Sequence, residues 1–129
     1  MNDAPSRFAP DVPTSDEFTR TLGQVSWLLT LSKKHREQPI SFIETSICVP
    51  LMFKQLRVFL KGKQPVAALT WAYVSVEVAE KVKCGDELAL ADWRSGPDVV
   101  VVDCISPLLD PQVFIKKFNA ELSAIQERQ

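Results

Sequence analysis

The chain has 129 residues, of which 46% are apolar and 24% charged, and 15 basic against 16 acidic side chains leave a formal net charge of −1. This balance predicts one ordinary globular domain and argues against a general nucleic-acid binder, which carries a strong basic excess. No apolar run is long enough to span a membrane and the first residues hold no secretory signal, so a cytoplasmic location is expected.

Residues 1–13 contain three prolines and little apolar periodicity, which predicts a flexible arm followed by one domain over 14–129. Thr14 and Glu17 have the spacing of a capping box, and apolar residues then recur at helical intervals. The pattern predicts a first helix over Ser15–Leu31.

The middle of the chain is harder to assign. Residues 32–39 break the helical pattern and predict a loop, since Pro39 disfavours helix at the residue before it. The apolar stretch 40–53 is ambiguous, and we favour a helix that ends near Pro50. Residues 55–60 and 66–75 have the composition of two strands joined by a short turn, which predicts a hairpin.

The second half alternates helix and strand. A short helix is predicted over Val76–Lys83, a turn over 92–98, and a buried strand over 99–102. Asp110 is a natural N-cap, with Pro111 at the first position of the last helix. The buried stripe of that helix is predicted to be Phe114, Phe118, Leu122 and Ile125. This order implies an α+β domain with a central, mainly antiparallel sheet flanked by helices.

The cysteines give only a weak case for chemistry. Cys48, Cys84 and Cys104 form no C-x-x-C pair, and the chain has a single histidine, so we expect reduced thiols and no metal centre. Cys48 and Cys104 lie in apolar segments, where thiols usually only pack, and nothing marks Cys84 as activated.

His35 is the first candidate for chemistry, because imidazole exchanges a proton readily near neutral pH. It lies in the loop 32–39, and loops often carry functional residues. The alternative, which the pattern leaves open, is a solvated histidine in a polar turn.

Asp103 is the second candidate. It directly follows four valines, and the alternation of a strand places it on the same face as Val99 and Val101. A carboxylate there must be paired or lie at the open end of the sheet, and carboxylates often orient a catalytic imidazole. The alternative is a strand-end aspartate that satisfies the turn before Pro107.

Basic residues are concentrated in the first half of the chain, and such a patch steers acidic partners or is simply a solvated face. The patch consists of Lys33, Lys34, Arg36, Lys54, Arg57, Lys61 and Lys63.

Read together, five segments resemble the RTX toxin-activating lysine acyltransferases, the family of hemolysin-activating protein C. They occur in family order and cover almost the whole chain after the first residues. The segments are LGQVSWLLTLSKKHREQPIS, QPVAALTWAYVSVE, LALADWRSG, VVVVDCISPL and KKFNAELSAI.

The resemblance implies a fold related to the GNAT acetyltransferases and a fatty acyl group taken from acyl-carrier protein. That group passes to internal lysine ε-amines of an RTX protoxin in the cytosol. The resemblance also implies a homodimer and no permanently bound cofactor, because the donor is the acyl-phosphopantetheine of the carrier protein. The family's essential histidine falls on His35 and its essential aspartate on Asp103. Because acyl-carrier proteins are acidic around their phosphopantetheine arm, the resemblance also makes five basic residues candidates for docking the carrier protein: Lys33, Lys34, Arg36, Arg57 and Lys61.

The chemistry suits both residues. Lysine is mostly protonated at neutral pH, so a neutral His35 can remove a proton from the attacking amine while Asp103 orients or stabilises the imidazole. A histidine-bound acyl intermediate is an open alternative.

The chain ends soon after KKFNAELSAI, whereas family members usually continue further, and Cys104 stands where toxin activators often have tryptophan. The first of these departures motivates a second hypothesis, a non-catalytic binding partner or chaperone of a carrier protein or RTX-type substrate. An acetyl-CoA enzyme is disfavoured because the glycine-rich loop that cradles CoA is missing.

Overall fold

The computed structural model of the chain describes residues 14–127, so the arm predicted over 1–13 lies outside the described residues. A three-stranded antiparallel sheet in the order β1-β2-β3 is formed by β1 (Leu56–Lys61), β2 (Gln64–Val74) and β3 (Asp98–Ile105). The helices are α1 (Ser15–Leu31), α2 (Ser41–Ile43), α3 (Val49–Met52), α4 (Val76–Lys83) and α5 (Pro111–Glu127). A π-helical segment lies at Glu44–Cys48 and a 3-10 turn at Leu90–Trp93. The predicted α+β class, with helices flanking an antiparallel sheet, is confirmed.

Helix α1 has the predicted bounds because its start is capped. The Thr14 side chain accepts a hydrogen bond from the Glu17 backbone N–H at 3.2 Å, which satisfies one of the free donors of the first turn. Val25, Leu28 and Leu29 are buried and pack on one face of the sheet.

The ambiguous segment is helical, as predicted, and it ends close to Pro50, two residues later. The helix runs on through α3 to Met52, because the wider π turn at Glu44–Cys48 lies directly before Pro50. Pro50 thus occupies the first turn of a new α-helical segment, where a missing N–H costs little. The segment ends at Lys54, whose φ of 57° is left-handed.

The predicted hairpin is confirmed, with a tighter turn than expected. Only Gly62 and Lys63 lie between β1 and β2, and Gly62 has a φ of 64°. Positive φ at the first of two turn residues is what a type II′ hairpin requires, and glycine adopts it without strain.

The last helix begins where predicted, since the Asp110 carboxylate accepts a hydrogen bond from the Gln112 backbone N–H at 2.9 Å. Phe114 and Phe118 are buried against the sheet, with Leu122 packed beside them. The prediction for Ile125 is wrong, because this side chain is exposed one turn beyond the hydrophobic contact.

A β-bulge changes the face on which Asp103 lies. Thr70 pairs with Asp103, whereas the next residue of β2, Trp71, pairs with Val101, so Val102 is an extra residue in β3. Val99 and Val101 pack on the α5 side of the sheet. Val102 and Asp103 both line a cavity on the opposite side, towards α1. The predicted shared face of Asp103 with Val99 and Val101 is therefore wrong.

The end of the DWRSG segment lies against the backbone of β2. The N–H groups of Ser95 and Gly96 both donate to the Tyr73 carbonyl, at 2.7 and 3.2 Å. A Cβ atom added at Gly96 would lie 2.4 Å from the Val74 carbonyl oxygen, so only glycine fits without moving the main chain.

We therefore expect Gly96→Ala to lower the free energy of unfolding by about 1–3 kcal/mol, the usual cost of overpacking. Gly23→Ala is the matched control, because nothing lies within 4 Å of its added Cβ and alanine favours the helix. Urea denaturation of both variants measures this, and equal stability of the two would contradict the steric argument.

Candidate active site

The turn after α1 directs His35 into the protein. The backbone N–H groups of His35 and Arg36 both donate to the Ser32 carbonyl, at 3.0 and 2.9 Å, which folds the chain back on the end of the helix. His35 is only 4% exposed as a result. The alternative of a solvated histidine in a polar turn is therefore wrong.

Both ring nitrogens of His35 have partners. Nε2 lies 2.8 Å from Asp103 Oδ2, and Nδ1 lies 2.6 Å from the Ser32 hydroxyl. An ionised carboxylate only accepts hydrogen bonds, so Nε2 carries a proton and donates it to Asp103. In the neutral ring, Nδ1 is then the acceptor and the Ser32 O–H donates to it. The two contacts fix the orientation of the ring, and in the neutral state they favour the tautomer with its proton on Nε2.

Asp103 is held as a carboxylate. Burial raises its pKa, but the hydrogen bond and charge of His35 outweigh this effect, helped by Lys34 and by the Cys104 N–H at 2.8 Å. The pKa of Asp103 is therefore lower than usual. Lys34 Nζ lies 3.5 Å from Oδ1 of the same carboxylate.

The carboxylate is more accessible than the imidazole. The Asp103 side chain is 21% exposed and that of His35 is 3% exposed. Asp103 therefore stands beside His35 at the cavity, and Ser32 holds the other side of the ring. The structure thus brings the two predicted residues together, and the strand-end alternative for Asp103 does not describe its place inside β3.

Ser32 is the residue that the sequence analysis missed. The spacing S-x-x-H was present in the segment that carries the resemblance, and two polar side chains three residues apart meet in a tight turn. That spacing was the available signal.

Ser32→Ala removes the hydrogen-bond partner of Nδ1 but leaves the Asp103 contact intact. Because a single hydrogen bond contributes about 1 kcal/mol, we expect the rate of any reaction that uses His35 to fall about fivefold, with a changed pH profile. Ser32→Thr keeps the hydroxyl and should restore the rate and the profile. A loss by Ser32→Ala as large as that of a His35 variant would show instead that Ser32 takes part in bond making.

Two cavities meet at His35. The first, which we name the acidic cavity, has a volume of about 370 Å³ and contains Asp103, Asp86 and Glu87 in its wall. This volume lies within the range of small-molecule sites, about 300–1,000 Å³. The second, which we name the apolar cavity, has a volume of about 250 Å³. Its apolar wall is formed by Leu29, Pro39, Ile40, Phe42 and Ile43.

The five basic docking candidates do not form one surface. Lys33, Lys34 and Arg36 lie in the turn around His35 and are exposed. Arg57 instead forms an ion pair with Glu121 of α5, and its guanidinium lies 4.4 Å from the centre of the Phe59 ring. It is thereby turned to the α5 side of the sheet. Lys61 lies at the end of β1, beside the hairpin turn.

Burial disfavours the thiolate form of two of the three cysteines. Burial, together with the nearby charge of Asp103, raises the pKa of Cys104 to about 11, so its thiol stays protonated near neutral pH. Burial and the charge of Glu44 also raise the pKa of Cys48. Cys84 is exposed. In residues 14–127, no three His, Cys, Asp or Glu side chains are grouped to hold a metal ion.

None of the helices in the described part of the chain is both long and apolar enough to span a membrane.

Comparison with known proteins identifies relatives over most of the chain. The Escherichia coli protein-lysine myristoyltransferase HlyC is 32% identical over 106 residues, which cover 78% of this chain and 62% of that protein. The RTX-II toxin-activating lysine-acyltransferase ApxIIC of Actinobacillus pleuropneumoniae is 28% identical over 74% of this chain and 60% of its own length. The protein-lysine palmitoyltransferase CyaC of Bordetella bronchiseptica is 25% identical over 80% of this chain and 56% of its own.

The chain thus spans about three fifths of the length of these relatives. The family model described as HlyC, the RTX toxin acyltransferase family, matches residues 14–126, which is nearly all of the described chain and includes Ser32, His35 and Asp103. The chain therefore belongs to the RTX toxin acyltransferase family.

Proposed function

We propose that this protein is a protein-lysine acyltransferase that moves a fatty acyl group from acyl-carrier protein to lysine ε-amines of an RTX-type protoxin. The observation that carries the proposal is the hydrogen-bonded pair of His35 and Asp103 at the wall of a cavity. The relatives of this chain are named for lysine acyl transfer, so we assign that reaction to the pair.

The reaction joins an amine to a thioester. The acceptor lysine arrives as an ammonium ion and must lose a proton before its nitrogen can attack, since its ordinary pKa is about 10.4. In the proposed reaction, the lysine ammonium enters between Asp103 and Nε2 of His35, and Asp103 holds it by its charge. The ring then takes its other tautomer, in which Nδ1–H donates to the Ser32 hydroxyl and Nε2 is free to accept the ammonium proton. Ser32 is a positioning residue, because it acts through the other ring nitrogen.

The bond changes then balance. The lysine nitrogen attacks the thioester carbonyl carbon and a C–N bond forms. The C–S bond breaks, and the sulfur leaves as a thiolate on the phosphopantetheine arm. The nitrogen loses two protons in all, of which one ends on the sulfur and the other is released to solvent. The products are an amide and a free carrier-protein thiol, and no other cofactor is required.

We propose that the donor docks on the exposed basic turn beside His35. Acyl-carrier proteins are expected to be acidic around their phosphopantetheine arm, so Lys33 and Arg36 are well placed to attract one. Lys34 is already paired with Asp103, and Arg57 with Glu121. Arg36 has only a looser contact, 3.7 Å from Nε to the exposed Glu37 carboxylate. The role of Lys61 in docking stays a prediction. A homodimer and a cytoplasmic location are also proposed, and sedimentation of the purified protein tests the first.

The test is an acyl-transfer assay with the purified full chain. Acyl-carrier protein loaded with a tetradecanoyl group is mixed with an RTX-type protoxin that bears lysines, and intact-mass spectrometry follows the acceptor. A mass increase of one acyl group that depends on the enzyme supports the proposal. Binding of either partner without any transfer, and without an effect of His35→Ala, would overturn it in favour of the non-catalytic partner or chaperone.

A further inference from the structure

The apolar and acidic cavities share one wall. His35, Gln38, Pro39 and Phe42 line both of them, so both cavities lie beside the same histidine. The rest of each wall comes from different elements: α1 contributes to the apolar cavity, and the loop after α4 contributes to the acidic one. Two substrates can therefore approach His35 without competing for the same space.

The apolar cavity has the chemistry of a hydrocarbon site. Ile40, at its edge, is 84% exposed, the most exposed large apolar side chain in the part of the chain that the structure describes. The Phe42 ring lies 6.0 Å from the His35 ring, so a chain packed on Phe42 would end close to the imidazole. Arg36 also lines this cavity, which places a cation of the basic turn on the same side.

The acidic cavity has the chemistry of a cation site. Asp86 and Glu87 lie in its wall together with Asp103, and among the described residues that line it Lys34 is the only lysine or arginine. The Lys34 ammonium already lies 3.5 Å from Asp103, so this carboxylate accommodates a lysine nitrogen. Thr70 faces Asp103 across the strand pair, is 1% exposed, and its hydroxyl has no hydrogen-bond partner among residues 14–127. A buried polar group of this kind is satisfied by a ligand or by water.

We propose that the apolar cavity holds the acyl chain of the donor and that the acidic cavity receives the acceptor lysine. The assignment rests on the proposed acyl transfer and adds which side of His35 each substrate uses. Carboxylates at the acidic cavity attract a lysine ammonium and repel an acidic carrier protein, whereas Arg36 at the apolar cavity does the opposite.

The donor side is tested with Ile40→Asp, which places a charge in the apolar cavity at an exposed position. We expect kcat/KM with the tetradecanoyl carrier protein to fall about tenfold or more, and kcat/KM with the butanoyl form to change little. Thr30→Phe, at an exposed position of α1 in the same cavity, should shift the preference towards the shorter group. Val76→Asp is the control, because Val76 is also exposed and lines neither cavity.

Affinity for the loaded carrier proteins is measured in parallel, so that the donor assignment does not depend on turnover. Tighter binding of the tetradecanoyl than of the butanoyl form, lost in Ile40→Asp but kept in Val76→Asp, supports the acyl site even if no acyl group is transferred. Equal effects of Ile40→Asp on both chain lengths would overturn it. Failure of the wild-type protein to transfer any acyl group would instead refute the proposed function.

The acceptor side is tested with the double variant Asp86→Asn and Glu87→Gln. We expect KM for a lysine-bearing acceptor peptide to rise several-fold and to lose part of its salt dependence, with KM for the donor unchanged. Glu77→Gln with Asp98→Asn is the control, since it removes two exposed carboxylates that line neither cavity. Affinity for the peptide is measured as well. A double variant with unchanged acceptor KM and affinity, or with a raised donor KM, would overturn the assignment.

Discussion

Replacement of His35 by glutamine is expected to lower kcat/KM for acyl transfer roughly a thousandfold, within the range that a positioned general base contributes. Glutamine keeps polar atoms near Ser32 and Asp103, but it cannot take up a proton from the lysine ammonium. Because His35 is buried and bonded through both nitrogens, some loss of stability is also expected.

The measurement is steady-state transfer to the protoxin, with circular dichroism and thermal unfolding recorded on the same samples. Glu77→Gln is the control, because Glu77 is exposed and lines neither cavity. A folded glutamine variant that transfers acyl groups as fast as the wild type would rule out His35 as the base.

Replacement of Asp103 by asparagine is expected to lower kcat about a hundredfold, the lower end of the effect of acid–base groups. Asparagine has nearly the same shape and can still accept from Nε2. It carries no charge to hold the lysine ammonium or to stabilise the protonated imidazole. An unchanged kcat in this folded variant would show that the charge has no part in the reaction.

The same substitution predicts a pH-dependent stability. The pKa of Asp103 is lower in the folded protein than in the unfolded chain, so its charge stabilises the fold above its ordinary pKa, about 3.9. That contribution is lost as pH falls through the lower, folded pKa. We expect wild type to exceed Asp103→Asn by about 1–3 kcal/mol at pH 7. The difference should shrink below about pH 4, and urea denaturation across that range measures it; a difference that stays constant would contradict the assignment.

Local signals in the sequence predicted most of the fold. Three of these signals act over only a few residues: the capping box at Thr14, the cap at Asp110 and the glycine of the hairpin. The helix start or turn that each signal predicts lies at that position in the structure. The helix end was predicted near Pro50, and the preceding π turn lets the helix continue two residues beyond the proline.

The sequence pattern alone predicted less of the candidate site than of the fold. His35 and Asp103 are 68 residues apart, and their meeting depends on how α1 and β3 pack on the sheet. The residues left a solvated histidine and a strand-end aspartate open, and the family resemblance singled out the pair. Four successive valines give no sign of which one is the extra residue, so the bulge and the face of Asp103 were not predictable.

The bulge at Val102 also changes what a one-residue deletion would do. Before the bulge and after it, successive side chains of β3 point to opposite faces of the sheet. The extra residue shifts this alternation by one position. With Val102 deleted, a regular ladder would keep Val99 and Val101 on the α5 side and Asp103 on the side of His35, and only the Val102 side chain would be lost from its cluster. A strand of eight residues thus meets two demands of opposite parity only because it contains the bulge, which a strand of seven residues would not need.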